Sequence, residues 1–175
     1  MTDISKKPIV KLEELTRGEL VKILFNVSKR FFLLKDRKSR SITFKEVGLN
    51  NDLRCDVFNI SWDEKVVILE IKTCRDDFEK DKKWKQYLNY CDYFLFLCLE
   101  GVIHKSELPK EVGLIYVIGQ PENPSFNIVS VPKKLKPLNL NNGWFRKIFK
   151  KLAFRKFAKL NNEIVELDGE LFFNI

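Results

Sequence analysis

A single histidine, four cysteines without a C-x-x-C pair, and no long hydrophobic run remove several function classes at once. His104 alone cannot complete a zinc site with Cys55, Cys74, Cys91 and Cys98, whose spacing matches no zinc module. The same spacing suggests no disulfide framework, so the cysteines are read as reduced, mostly packing residues, which favours the cytoplasm. The longest apolar stretch, Tyr93 to Leu99, is far too short to cross a bilayer. No apolar run follows the early lysines of Met-Thr-Asp-Ile-Ser-Lys-Lys-Pro, so a soluble, unexported protein is expected. Acidic residues are missing altogether from residues 123 to 162, which carry ten Lys or Arg. Against a net charge of +8, this leaves the rest of the chain at −2. The basic character is therefore local, and a local excess of this size attracts a polyanion, either nucleic acid or an anionic membrane surface.

What is present supports a core: 45% of the residues are apolar and 13% aromatic in a chain of 175. A helix is predicted from Thr16 to Leu34, where Leu20, Ile23, Leu24, Val27, Phe31 and Leu34 recur at helical spacing. Thr16 and Glu19 have the spacing of a capping box, and Leu15 and Leu20 that of a hydrophobic staple, which gives Glu19 a structural task. Three strands follow, Ser41 to Val47, Arg54 to Ile60 and Val66 to Ile71, as an antiparallel meander. The third is almost continuously apolar, as a central strand covered on both faces requires. A second helix is expected from Asp76 to Cys91 with Thr73 as its cap, then strands at Tyr93 to Leu99 and Gly113 to Ile118 and an edge strand at Phe126 to Val131. Residues 132 to 143 read as a linker, Trp144 to Leu160 as a basic helix, and the residues flanking Asp168-Gly169 as a hairpin. The domain expectation is 1–131 for the main domain and 132–175 for a basic extension packed on it.

Chemistry is concentrated in Arg54-Cys-Asp56 and, fourteen residues after the aspartate, Glu70-Ile-Lys72. In adjacent antiparallel strands, residues near the open ends project side by side, which brings Asp56 and Glu70 within reach of one divalent ion. Glu70 and Lys72, two apart, share a strand face. Phosphodiester hydrolysis needs little more: carboxylates to hold a hard cation, and a lysine that orients or deprotonates the attacking water or stabilises charge on the phosphate. Oxygen ligands favour Mg²⁺, with Mn²⁺ as a substitute. The plainer alternative, ordinary charged strand-end residues, has to explain why a carboxylate and a lysine end a run as apolar as Val66 to Leu69.

The segments Arg54-Cys-Asp-Val57, Val67-Ile-Leu-Glu-Ile-Lys72 and Asp77 through Trp84 to Asp92 resemble the MmcB-like DNA-repair proteins of the PD-(D/E)XK nuclease superfamily. The likeness runs from Thr16-Arg17-Gly18 through Glu46 to Leu108-Pro109 and Val112 to Ile115; Cys55 stands where the superfamily pattern has proline. It implies an α/β, restriction-endonuclease-like αβββαβ core with a mixed central sheet flanked by helices, followed here by the basic helix and hairpin. It also implies a metal site at Asp56 and Glu70 and a role in DNA repair. Glu46, where the family tends to have Glu, is the candidate third carboxylate, against a solvent-facing strand residue.

The expected function is a Mg²⁺-dependent deoxyribonuclease, an endonuclease by preference, acting on DNA beside other repair proteins in the cytoplasm at the nucleoid. Asp56, Glu70 and Lys72 are its catalytic residues, and Asp56, Glu70 and Glu46 its metal ligands. Candidate DNA contacts are Arg54, which has the option of pairing with a carboxylate instead, and Lys83. Gln86 and Tyr90, four apart on one helix side, are similar to the QxxxY element of RecB-like nucleases; Tyr90 serves equally as a core aromatic. Arg146, Lys147, Lys150 and Lys151 on the basic helix suit a duplex backbone, a solvated face or a membrane surface. The competing class is a catalytically silent DNA-binding or adaptor module that kept the nuclease fold.

Overall fold

The computed structural model describes residues 11–35, 41–49, 52–61, 65–138, 140, 148 and 152. The chain divides into two compact units, Met1–Leu138 and Asn139–Ile175. The boundary falls after 138, so the stretch expected to begin the extension at 132 belongs to the first unit. There the Lys133 and Leu135 amides donate to the Glu111 and Asp92 carbonyls. Of the second unit, Ile148 and Leu152 are helical and buried, four residues apart as one helix face requires. The expected hairpin, the rest of the basic helix and its Arg146, Lys147, Lys150 and Lys151 lie outside the described residues. Among the described residues no helix is long and apolar enough to cross a membrane.

In the first unit, helix α1 (Arg17–Lys35) is followed by strands β1 (Ser41–Gly48), β2 (Arg54–Ser61) and β3 (Val66–Lys72). Two short helices, α2 (Arg75–Lys80) and α3 (Trp84–Tyr87), then lead into β4 (Tyr93–Leu99), β5 (Gly113–Gln120) and β6 (Asn123–Ser130). All six strands form one sheet in sequence order. The pairs β1–β2, β2–β3 and β5–β6 are antiparallel, while β3–β4 and β4–β5 are parallel. The meander, the central position of β3 and the edge position of β6 agree with the hydrophobic pattern; β6 starts three residues before the expected Phe126.

Helix α1 begins where its cap chemistry lies. The Thr16 amide donates to Glu19 Oε2 at 3.0 Å and the Glu19 amide to Thr16 Oγ1 at 3.4 Å, with Leu15 packed against the cluster that holds Leu20. Leu20, Leu24, Val27 and Phe31 cover one face of the sheet, against Val57, Leu69, Leu95, Leu97 and Ile115. The other face is aromatic: Trp84 stacks on Phe94 at 5.8 Å, and Trp84 and Phe78 both meet Phe96 edge-on. The sheet is thus covered by α1 on one side and by α2 and α3 on the other, which explains the unbroken apolar character of β3 and β4.

The second helix departs from the sequence expectation. Its apolar periodicity is real, but the helix breaks at Asp81, whose φ of −76° and ψ of 100° are extended. Asp81 Oδ1 accepts the amides of Lys83 and Trp84, and Oδ2 accepts Lys72 Nζ, so this side chain ends one helix and opens the next. The cap position of α2 is Cys74, not Thr73, whose hydroxyl donates to Asp77 Oδ2 at 3.5 Å. Cys55, Cys91 and Cys98 are buried and Cys74 exposed, and all four are free thiols.

Candidate active site at the splayed ends of two strands

Strands β2 and β3 stay in register from Ile60–Val66 to Val57–Leu69, and the ladder ends there. The next position along the register brings Asp56 opposite Glu70. The Asp56 amide donates to Glu70 Oε1 at 3.0 Å and the Ile71 amide to Asp56 Oδ2 at 2.9 Å. Two carboxylates therefore replace backbone carbonyls as acceptors just where the strands separate. Meanwhile β3 remains paired with β4 as far as Lys72–Cys98 and β2 with β1 as far as Arg54–Gly48, so the β1–β2 pair separates from β3 and a cleft opens.

The cleft encloses about 160 Å³. Its walls are Arg17 and Val21 of α1, Lys45 and Glu46 of β1, Asp56, Glu70 to Thr73, and Asp77 of α2. Glu46 is opposite Asp56 by the register of β1 and β2, which runs from Lys45–Val57 to Val47–Cys55 around it. It has φ of 53°, in the left-handed region that a bulky residue seldom adopts, and its carboxylate lies 3.7 Å from Lys45 Nζ. Glu46, Asp56 and Glu70 thus stand side by side on three successive strands. Glu19, by contrast, is held by Thr16 as a cap.

Glu70 is 4% exposed and Lys72 5%, a buried pair of opposite charge. Burial pushes the Glu70 carboxyl well above the usual carboxylate range, and the Asp56 charge pushes it further. Asp56 is also raised, first by burial and then by Asp77 and Glu46, although the Ile71 amide and Lys72 oppose the shift. For Lys72, burial works against the charge, yet the hydrogen bond to Asp81 and the nearby charges of Glu70 and Asp81 outweigh it and the shift is upward. Its Nζ lies 2.6 Å from Asp81 Oδ2 and 3.8 Å from Glu70 Oε2. Lys72 is held as an ammonium, which favours orienting and charge-stabilising roles over that of a base.

Among the described residues no group of three His, Cys, Asp or Glu side chains stands ready to hold a metal ion. The two buried carboxylates nevertheless suit one. Both are oxygen donors, burial raises both above their ordinary values, and a hard divalent ion would take water in its remaining positions.

Among the described residues, the remaining sequence candidates Arg54, Lys83, Gln86 and Tyr90 are not wall residues of the cleft. Arg54 is exposed at the start of β2, and its carbonyl accepts the Tyr87 hydroxyl at 3.0 Å. Lys83 and Gln86 are exposed. Tyr90 is half-buried in the turn after α3. Because α3 ends at Tyr87, Gln86 and Tyr90 do not share a helix face; backbone bonds from Asn89 to Gln86 and from Tyr90 to Tyr87 tighten the chain there instead. Sequence reasoning passed over Arg17, Thr73 and Asp77 as wall residues and Asp81 as the partner of Lys72. Asp81-x-x-Trp84 has the spacing of a cap and was the one local signal available.

A solved structure of a protein of unknown function from Silicibacter pomeroyi is similar, with a TM-score of 0.65 at 22% identity, over 91% of this chain and 99% of that one. At that identity the likeness concerns the fold. A comparison with curated proteins finds no match. The six-stranded mixed sheet between helices fits the restriction-endonuclease-like α/β fold. The family described as DNA repair protein MmcB-like matches residues 22–130, well over half of the chain and all six strands. By that match, the chain belongs to the MmcB-like DNA repair family.

Proposed function

We propose that the chain is a Mg²⁺-dependent deoxyribonuclease, an endonuclease acting in DNA repair, with Mn²⁺ able to substitute. The observation that carries this reading is the meeting of Asp56, Glu70 and the ammonium of Lys72 on one cleft at the splayed ends of β2 and β3. Asp56 and Glu70 would hold the ion, with Glu46 beside them on the neighbouring strand. When bound, such an ion neutralises phosphate charge and acidifies a water. Lys72, fixed by Asp81, presents positive charge where a phosphate would gain negative charge. The Ile71 amide, tied to Asp56, keeps the two carboxylates in step. Arg54, Lys83, Gln86 and Tyr90 would meet DNA away from the reacting phosphate, and Arg146, Lys147, Lys150 and Lys151 would add contacts to the DNA backbone. DNA and other repair proteins are its partners, at the nucleoid in the cytoplasm.

The test is cleavage of branched, damaged and single-stranded DNA by the full chain in Mg²⁺ or Mn²⁺. Asp56→Asn and Lys72→Ala should each lower the rate by about a hundredfold or more. Intact DNA with the wild-type protein, or equal cleavage by the variants, ends the nuclease reading. A silent DNA-binding module is the second reading. Each carboxylate already accepts a backbone amide, and among the described residues no third ligand converges on them. That module would bind DNA with steep salt dependence and without regard to metal or to Asp56→Asn.

A further inference from the structure

We propose that Arg17 is the phosphate-gripping residue of the cleft, held ready by Asp77 and released from it when DNA arrives. The inference rests on the nuclease reading only for the identity of the polyanion. Arg17 stands in the first turn of α1, and its side chain is 75% exposed although it lines the cleft with Asp56, Glu70 and Lys72. Its tie to the protein is loose. Nη2 straddles Asp77 Oδ1 and Oδ2, each at 3.4 Å, and among the described residues Nη1 and Nε meet no protein acceptor. A guanidinium with two nitrogens to spare is the group suited to a two-pronged grip on phosphate oxygens.

The other cations of the cleft are less available. Lys72 is buried and engaged by Asp81 at 2.6 Å, and Lys45 is 3.7 Å from Glu46 and leans over the Phe25 ring. Four of the wall residues are acidic, Glu46, Asp56, Glu70 and Asp77. Even with a divalent ion on Asp56 and Glu70, an exposed guanidinium that turns toward an approaching phosphodiester adds attraction at the mouth of this acidic cleft. Asp77 holds Arg17 at the wall and is itself steadied by the Thr73 hydroxyl, so Arg17 has only to exchange one acceptor for another. Single strands and duplexes both offer the phosphates this grip requires.

The experiment titrates the full chain into a fluorescein-labelled DNA strand and into its duplex, followed by anisotropy from low to moderate salt with Ca²⁺ in place of Mg²⁺. Cleavage of the same DNAs in Mg²⁺ is read in parallel. Arg17→Ala should weaken binding on the order of tenfold at low salt and reduce the salt slope by about one, with thermal unfolding unchanged. Arg17→Lys should restore the slope and only part of the affinity. Asp77→Asn should tighten binding, because it removes the competing acceptor. A structural clasp between α1 and α2 would make Arg17→Ala and Asp77→Asn fail alike, and that result, or an unchanged slope in Arg17→Ala, overturns the proposal. Wild-type cleavage with an unchanged slope sinks the Arg17 role alone. The expected slopes without cleavage sink the nuclease reading alone, and no binding to either DNA sinks both.

Discussion

Asp81→Asn should be among the most damaging single-atom changes available to this protein. The substitution keeps the oxygen that accepts the Lys83 and Trp84 amides but replaces Oδ2, 2.6 Å from Lys72 Nζ, with a group that has only hydrogens to offer an ammonium. Both side chains are largely buried, at 7% and 14% exposure, so water cannot make good the loss. Lys72 is left with Glu70 Oε2 at 3.8 Å. Breaking one side of a buried ion pair costs about 3–5 kcal/mol, and at this chain length each kcal/mol lowers Tm by about 2–4 °C, so a fall of about 6–20 °C is expected. Urea unfolding of a double-mutant cycle with Lys72→Met isolates the pair. In the Lys72→Met background the ammonium is gone, and Asp81→Asn should then cost under about 1 kcal/mol, for a coupling of about 2 kcal/mol or more. Equal losses in both backgrounds would refute the pairing and leave Asp81 only its part in opening α3.

Two further outcomes follow from the site. At Glu46, with φ of 53°, Gly should be more stable than Ala by about 1 kcal/mol, the reverse of the usual strand order, and paired urea curves of the two variants decide it. In metal-free protein, Asp56 and Glu70 are raised above their ordinary values, about 3.8 and 4.5, so the folded state keeps protons that the unfolded chain has released. Their contribution is full below those ordinary values and is lost as pH rises through the raised ones. The combined Asp56→Asn, Glu70→Gln variant should therefore gain stability relative to wild type as pH rises above about 4; an unchanged difference between the two across that rise in urea unfolding would contradict the shifts.

Local chemistry made much of this legible. The Thr16–Glu19 box, the apolar run of β3 and the separation of Asp56 from Glu70 each rest on neighbours in sequence or on one hairpin, so periodicity and spacing reach them. The break at Asp81 escaped because neither glycine nor proline marks it. It is imposed by an ammonium nine residues back, and an apolar helical pattern on both sides of the break reads as one helix. Arg17 and Asp77 lie 60 residues apart and meet only once the sheet has formed. The left-handed turn of Glu46 has no signature in a residue type that normally avoids it.

Because the acids at 56 and 70 each anchor an amide of the opposing strand, they double as fasteners of the architecture. Asparagine and glutamine would fasten it equally well, without the electrostatic penalty of two like charges in a dry place. Folding alone thus explains why a polar oxygen is needed at both positions, and at 70 an acid also faces the buried Lys72 ammonium at 3.8 Å. The choice of acid over amide at both positions is what the proposed metal site would put to use.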